Sequence, residues 1–150
     1  MSVQQIKPRF IEPMLLLPTS ELPEGVNWAY ELKLDGYRAL AIRTNGKVHL
    51  RSRNNKDFNA KYPAIVAALA SLPDETVIDG ELVALDDSGK PSFNALQNSG
   101  SARAPIFYYV FDVLILGGRN LMSERLSLRR DLLQHRVFSK LGEPVRRVQS

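Results

Sequence analysis

Cysteine is absent from this 150-residue chain, and only two histidines occur in it. A disulfide framework and a thiolate metal site are therefore excluded. His49 and His135 lack any metal-ligand spacing and read as surface residues. Long apolar runs are missing as well, since nothing approaches the ~18 residues that a membrane-spanning helix needs. The opening "MSVQQIKPRF" contains no apolar stretch of the signal-peptide kind. These absences predict a cytoplasmic protein with no membrane partner.

What is present is the composition of an ordinary globular domain, 44% hydrophobic and 24% charged with no low-complexity tract. Charge is unevenly placed. Residues 1–100 carry 11 basic and 12 acidic side chains, whereas residues 101–150 carry 9 and 4. A basic last third suits a polyanionic partner, although many soluble proteins share such an imbalance.

Prolines at 8, 13, 18 and 23 predict an extended lead-in over residues 1–25, running across the surface. Strand patterns follow at Trp28–Leu34, Arg38–Thr44 and Lys47–Arg53, the last two joined by the hairpin signal Asn45–Gly46. "KYPAIVAALASLP" predicts a short helix with Ile65, Leu69 and Leu72 on one face and Pro73 at its end. Thr76–Leu85 reads as a strand, Asp86–Pro91 as a turn, and "SFNALQN" as a helical turn or two. Ile106–Leu116, "IFYYVFDVLIL", is almost continuously apolar, which predicts a strand buried on both faces. A helix over Ser127–Val137 with Leu128, Leu132 and Leu133 as its stripe completes an α+β domain with mostly antiparallel sheets and flanking helices.

In "YELKLDGYRAL" the period of two puts Tyr30, Leu32 and Leu34 on one side and Glu31, Lys33 and Asp35 on the other. A solvated charged face explains that pattern on its own, with ion pairs worth roughly 0–1 kcal/mol each. Two further strands carry charge inside apolar sequence, at Asp79–Glu81 and at Asp112. Half-buried charge is costly unless paired, so such strands usually border a polar site. A lysine among these groups is a candidate nucleophile once it loses its proton. Arg38 would lower its pKa, while Glu31 and Asp35 would raise it. Sequence leaves that balance open.

"KLDGYR" (Lys33–Arg38), "RSRNNKDF" (Arg51–Phe58), "DGELVAL" (Asp79–Leu85) and "YYVFDVLIL" (Tyr108–Leu116) follow one another along the chain. In that order they resemble the motifs of the covalent nucleotidyltransferases, and most closely the ligase module of bacterial end-joining, ATP-dependent DNA ligases. No GxxxxGK[ST] segment occurs, so ATP would not be held by a P-loop. The resemblance implies a ligase adenylation domain in which Lys33 attacks the α-phosphate of ATP and carries AMP. Asp35 would serve the later steps at the nick. Glu31 would lie near the adenine, Arg38 near the ribose or phosphate, and Arg53 near the ribose or the DNA phosphate. Glu81 would contact the ribose and help place Mg²⁺ or Mn²⁺, and Phe111 would stack on adenine. Gly36 would supply a tight turn that brings Arg38 back toward the site.

Taken singly, Phe111 is a core aromatic and Glu81 an exposed strand carboxylate. Asp112 reads as structural, satisfying backbone donors at a sheet edge. Arg136–Ser150 lacks the family's Glu-Gly and Lys-x-Lys motifs, so residues 26–150 read as the N-terminal part of the domain, incomplete at its C-terminus and without the OB-fold domain. The implied partners are nicked or broken double-stranded DNA and end-joining repair proteins. Two alternatives are an RNA ligase or capping-type nucleotidyltransferase, and an inactive nucleic-acid-binding remnant.

Overall fold

Strands β1 (Tyr37–Thr44) and β2 (Lys47–Ser52) pair as an antiparallel hairpin around Asn45–Gly46. Both turn residues have positive φ, 52° and 75°. A two-residue turn that follows strand twist requires that combination, and Asn-Gly adopts it at least cost. In the computed structural model, which describes residues 5–13, 34–97 and 105–148, the hairpin opens a six-stranded sheet. β3 (Thr76–Ala84), β4 (Ile106–Leu116), β5 (Arg119–Asn120) and β6 (Val145–Arg147) complete it. The strand order is β2-β1-β3-β4-β5, and β6 also lies beside β4, in parallel. All other pairings are antiparallel.

One face of the sheet carries the main core. Ala39, Ala41, Leu50, Ile78, Leu82, Tyr108, Val110 and Val113 point into it. Helix α1 (Pro63–Ala68) begins with proline at its first position, where no amide hydrogen is needed. It tightens into a 3-10 turn over Leu69–Ser71. Ile65, Leu69 and Leu72 are all at most 1% exposed, at roughly 1.5–3 kcal/mol for each such side chain. α2 (Phe93–Gln97) contributes Leu96. α3 (Leu126–Leu132) continues as a π-helical turn, Leu133–Val137, that buries Leu133 and Val137. The 3.6-residue pattern that predicts one helix over Ser127–Val137 therefore ends at Leu132, and the wider turn brings both side chains into the core.

On the opposite face a small cluster of Leu40, Ile42, Val77 and Ile115 is covered by Ile6, Phe10 and Ile11. The lead-in is thus more than a surface strap. Pro8 and Pro13 are buried, and Gln5 bridges to Arg119. Beyond this cluster the polar residues gather on the same face, the one turned away from the main core.

β4 departs from a regular strand in a way that matters for the site. Its register against β3 slips between Asp79 and Gly80 and again between Val77 and Ile78, leaving Phe111 and Leu114 as extra residues. A bulge re-aims the side chains beside it. Phe107, Tyr109, Phe111 and Asp112 consequently share the polar face, whereas Val113 returns to the main core. The apolar run is buried on both faces only in its second half.

Candidate functional site

Antiparallel partners point to the same side of a sheet, so register alone assembles the polar face. Arg38 lies opposite Glu81, Leu40 opposite Asp79, and Asp79 opposite Asp112. Arg38 grips Asp79 with two charge-assisted bonds. Nε donates to one carboxylate oxygen at 2.8 Å and an Nη to the other at 2.6 Å. The carboxylate is 5% exposed and the guanidinium 17%. Burial pushes the Asp79 carboxyl above its usual range, and Asp112 adds to the push while Arg38 opposes it. For Arg38 burial works against the cation, but the bond to Asp79 and the charges of Asp79 and Glu81 more than offset this, so it stays protonated. The same guanidinium lies 4.8 Å from the centre of the Phe111 ring, a cation–π arrangement.

Asp112 has its own arginine. Arg129 of α3 donates to both its oxygens, at 2.8 and 3.3 Å, and to the Glu124 carbonyl at 2.6 Å. A role for Asp112 at backbone donors is only part of its work. Val113 N–H does donate to it at 2.9 Å, but Arg129 is the larger partner. Further along the face, Arg146 of β6 stacks on Phe107 at 3.9 Å and donates to the Tyr109 hydroxyl at 3.2 Å. Glu143 holds it from the other side at 2.9 to 3.0 Å.

Two glycines set how closely the strands approach. A Cβ on Gly36 would overlap the Leu82 carbonyl oxygen, so glycine is needed there for contact with β3; its φ is not in the left-handed region that a tight turn would demand. A Cβ on Gly80 would overlap the Tyr109 carbonyl oxygen and stand 2.8 Å from a Tyr108 ring carbon. The bare glycine lets the Tyr108 ring pass beneath β3 and donate its hydroxyl to the Ala39 carbonyl at 2.8 Å.

The predicted site residues fall into three groups. Arg38, Glu81 and Phe111 share the polar face. Asp35 is exposed just ahead of β1, and Arg53 is exposed just after β2. Because Ser52 pairs with Ala39, Arg53 stands at the Arg38 end of the sheet. Its loop is anchored by the Ser52 hydroxyl, which accepts from the Asn54 and Lys56 amides at 3.3 and 3.0 Å. Glu31 and Lys33 lie outside the described residues, one and three positions upstream of where description resumes at Leu34 in the case of Lys33 and Glu31 respectively.

Among the described residues no three His, Asp or Glu side chains are grouped as a metal cage. Glu81 by itself supplies one carboxylate, which fits a Mg²⁺ held chiefly by phosphates and water and does not fit an all-protein site.

The sequence profile of the ATP-dependent DNA ligase domain matches residues 13–149. The chain belongs to that family. It is 45% identical over 108 residues to the multifunctional non-homologous end joining protein LigD of Mycobacterium bovis, covering 71% of this chain and 14% of the relative. LigD of Pseudomonas aeruginosa is 38% identical over 142 residues, 93% of this chain and 17% of that protein. The crystal structure of the ligase domain of Mycobacterium tuberculosis LigD superposes with a TM-score of 0.66 at 38% identity, over 79% of this chain and 38% of that one. A mycobacterial DNA ligase D complexed with ATP and MES gives 0.65 at 38% identity, over 78% and 38%. The chain thus spans a minor part of each relative.

A motif reading assigns no partners to several residues of this ligase-family face. Asp79 and Asp112 announce themselves as charges in apolar strands, but their pairing needs the β3–β4 register. Arg146 carries no sequence signal of its own among the many arginines of the last third, and Arg129 sits in "LSLRRDLL" (Leu126–Leu133), where nothing in the sequence names its partner.

Proposed function

We propose that this chain is the nucleotide-handling part of an ATP-dependent DNA ligase, and that it forms an AMP–lysine at Lys33. The amine of Lys33, once deprotonated, attacks the α-phosphorus of ATP. A P–N bond forms, the α–β P–O bond breaks, and pyrophosphate leaves. Phe111 would stack the adenine, with Glu31 beside it. Arg38 and Glu81 would hold the ribose and phosphate. Positive groups on a transferring phosphoryl stabilise charge that develops in the transition state. Mg²⁺ or Mn²⁺ bound to the nucleotide would add to that stabilisation, with Glu81 as a protein ligand. Asp35 and Arg53 would act on the DNA, at the later steps at the nick.

The observation that carries the proposal is the gathering of Arg38, Glu81 and Phe111 on one face, at the end of the sheet where β1 begins. Membership of the ligase family supports ATP over GTP and DNA over RNA, as does a relative solved with ATP. Exposed Arg119, Arg125, Arg136 and Arg147 give the last third the charge that a DNA backbone attracts. The LigD relatives carry end joining in their names, which makes nicked or broken duplex DNA and end-joining proteins the proposed partners. No helix among the described residues is long and apolar enough to cross a membrane, and the cytoplasm is the proposed location.

Mass spectrometry after incubation with ATP and Mg²⁺ or Mn²⁺ tests the chemistry. Any AMP that adds should sit on Lys33 and be absent from Lys33→Ala. AMP on any other residue would overturn the site, and labelling by GTP in preference to ATP would favour a capping-type enzyme.

A further inference from the structure

Asp79 and Asp112 are direct partners across β3 and β4, and both face away from the main core. Like charges placed opposite one another in a sheet repel. Each carboxylate is more than four-fifths buried, at 5% and 17% side-chain exposure, so water screens that repulsion little. The pair is tolerated because each member is clasped by its own guanidinium through two bonds, Arg38 on Asp79 and Arg129 on Asp112. The four groups therefore form one line from α3 to β1, with a cation at each end and the two carboxylates facing each other between them: Arg129, Asp112, Asp79, Arg38. The line ends where the Arg38 guanidinium meets the Phe111 ring.

We infer that Arg129, on α3, is a positioning residue for Arg38, acting through the facing carboxylates Asp112 and Asp79. Without the Arg129 charge, Asp112 has no neutralising partner on its own side. It then repels Asp79 and competes with it for Arg38, and the guanidinium leaves its place beside Phe111. The anchoring of Arg129 by the Glu124 carbonyl fixes the far end of the line to the start of α3.

The functional weight of Arg38 rests on the adenylation reading above, but the decisive measurement does not. Hydrogen exchange at the Arg38 side-chain Nε–H can be followed by NMR of the ¹⁵N-labelled 150-residue chain, at one fixed near-neutral pH. Arg129→Gln should speed that exchange about tenfold, within the coupling range of residues in one charge network. Arg129→Lys should retain most of the protection. The double variant Arg129→Gln/Asp112→Asn should bring exchange back to within about twofold of the parent, since no unpaired charge remains. A purely structural role for Arg129 predicts no such recovery, because the double variant loses the same packing. Unchanged exchange in Arg129→Gln, or a double variant as unprotected as the single, would overturn the inference. If Arg129→Gln alone does not fold, the double variant decides: recovery of both fold and Arg38 protection supports the inference, and failure of either overturns it. Protection that depends on Arg129 in a chain that never takes AMP at Lys33 would remove the adenylation reading and uphold this one.

Discussion

Replacing Gly80 by alanine adds one methyl group, and its sign tests how the site is built. In an unobstructed strand interior, alanine is favoured over glycine by roughly 0.5–1 kcal/mol. At Gly80 the new carbon would overlap the Tyr109 carbonyl oxygen and lie 2.8 and 3.1 Å from two carbons of the Tyr108 ring. Neither neighbour yields easily. The Tyr109 carbonyl belongs to the strand backbone paired with Glu81. The Tyr108 ring is fully buried, and moving it breaks the 2.8 Å hydrogen bond to Ala39.

Overpacking of this kind costs about 1–3 kcal/mol. Stranding the buried Tyr108 hydroxyl adds about 1–3 kcal/mol more. Allowing for partial relaxation, Gly80→Ala should destabilise by about 3 kcal/mol, a large fraction of the ~5–15 kcal/mol typical of a domain. That corresponds to a fall in Tm of about 6–12 °C for a chain of this size. Urea unfolding followed by circular dichroism would measure it, with an unchanged m-value showing that the native and unfolded states keep their compactness. A stabilised variant, or one within about 0.5 kcal/mol of the parent, would refute the close-approach argument for this glycine.

Three other changes give separate readouts. Tyr108→Phe keeps the ring and removes its hydroxyl, so urea unfolding should show a loss of about 0.5–1.5 kcal/mol from the missing hydrogen bond to Ala39, with the Gly80 contacts intact. Phe111→Ala should abolish an ATP-induced rise in Tm if the ring floors an adenine pocket; an undiminished rise would exclude stacking. Glu75 accepts from the Asn45 amide at 2.9 Å and also meets Thr44 and Lys7, contacts that hold its carboxyl below the ordinary value of 4.5. A depressed folded pKa gives stability that is present above the unfolded value and is lost as pH falls through the folded one. Glu75→Gln should therefore lower the melting temperature at neutral pH, and the difference should vanish in acid below the carboxylate range. An equal difference at both pH values would show that Glu75 acts by shape and not by charge.

Local chemistry made much of the fold legible in the sequence. Asn45–Gly46 dictates the hairpin because few other pairs accept two positive φ angles. Pro63 and Pro73 bracket a helix whose apolar spacing names Ile65, Leu69 and Leu72 as core, and all three are buried. What stayed hidden depends on contacts between distant segments. No local preference marks Phe111 and Leu114 as the extra residues of β4, because a bulge is defined by the partner strand. The π-helical turn at Leu133–Val137 is likewise set by the core it fills. Glu31 and Lys33, on which the motif reading leans most, lie outside the described residues.

The site shows the same division more sharply. Motif order names Arg38, Glu81 and Phe111, which are 43 and 30 positions apart along the chain, but gives no reason why they should meet. The antiparallel register supplies that reason for Arg38 and Glu81, which sit directly opposite each other. For Phe111 it does not suffice. In an unbroken ladder the alternation of β4 that buries Val113 would continue to place every odd residue in the core and turn Phe111 inward with it. The bulge reverses that alternation just after Phe111, so the ring and the Asp112 carboxylate both come to the polar face while Val113 packs below. The same irregularity that turns the Phe111 ring out of the core thus brings a second carboxylate against Asp79, and Arg129 pairs with that second carboxylate. A bulged strand here creates both the candidate stacking surface and the charge problem that Arg129 resolves.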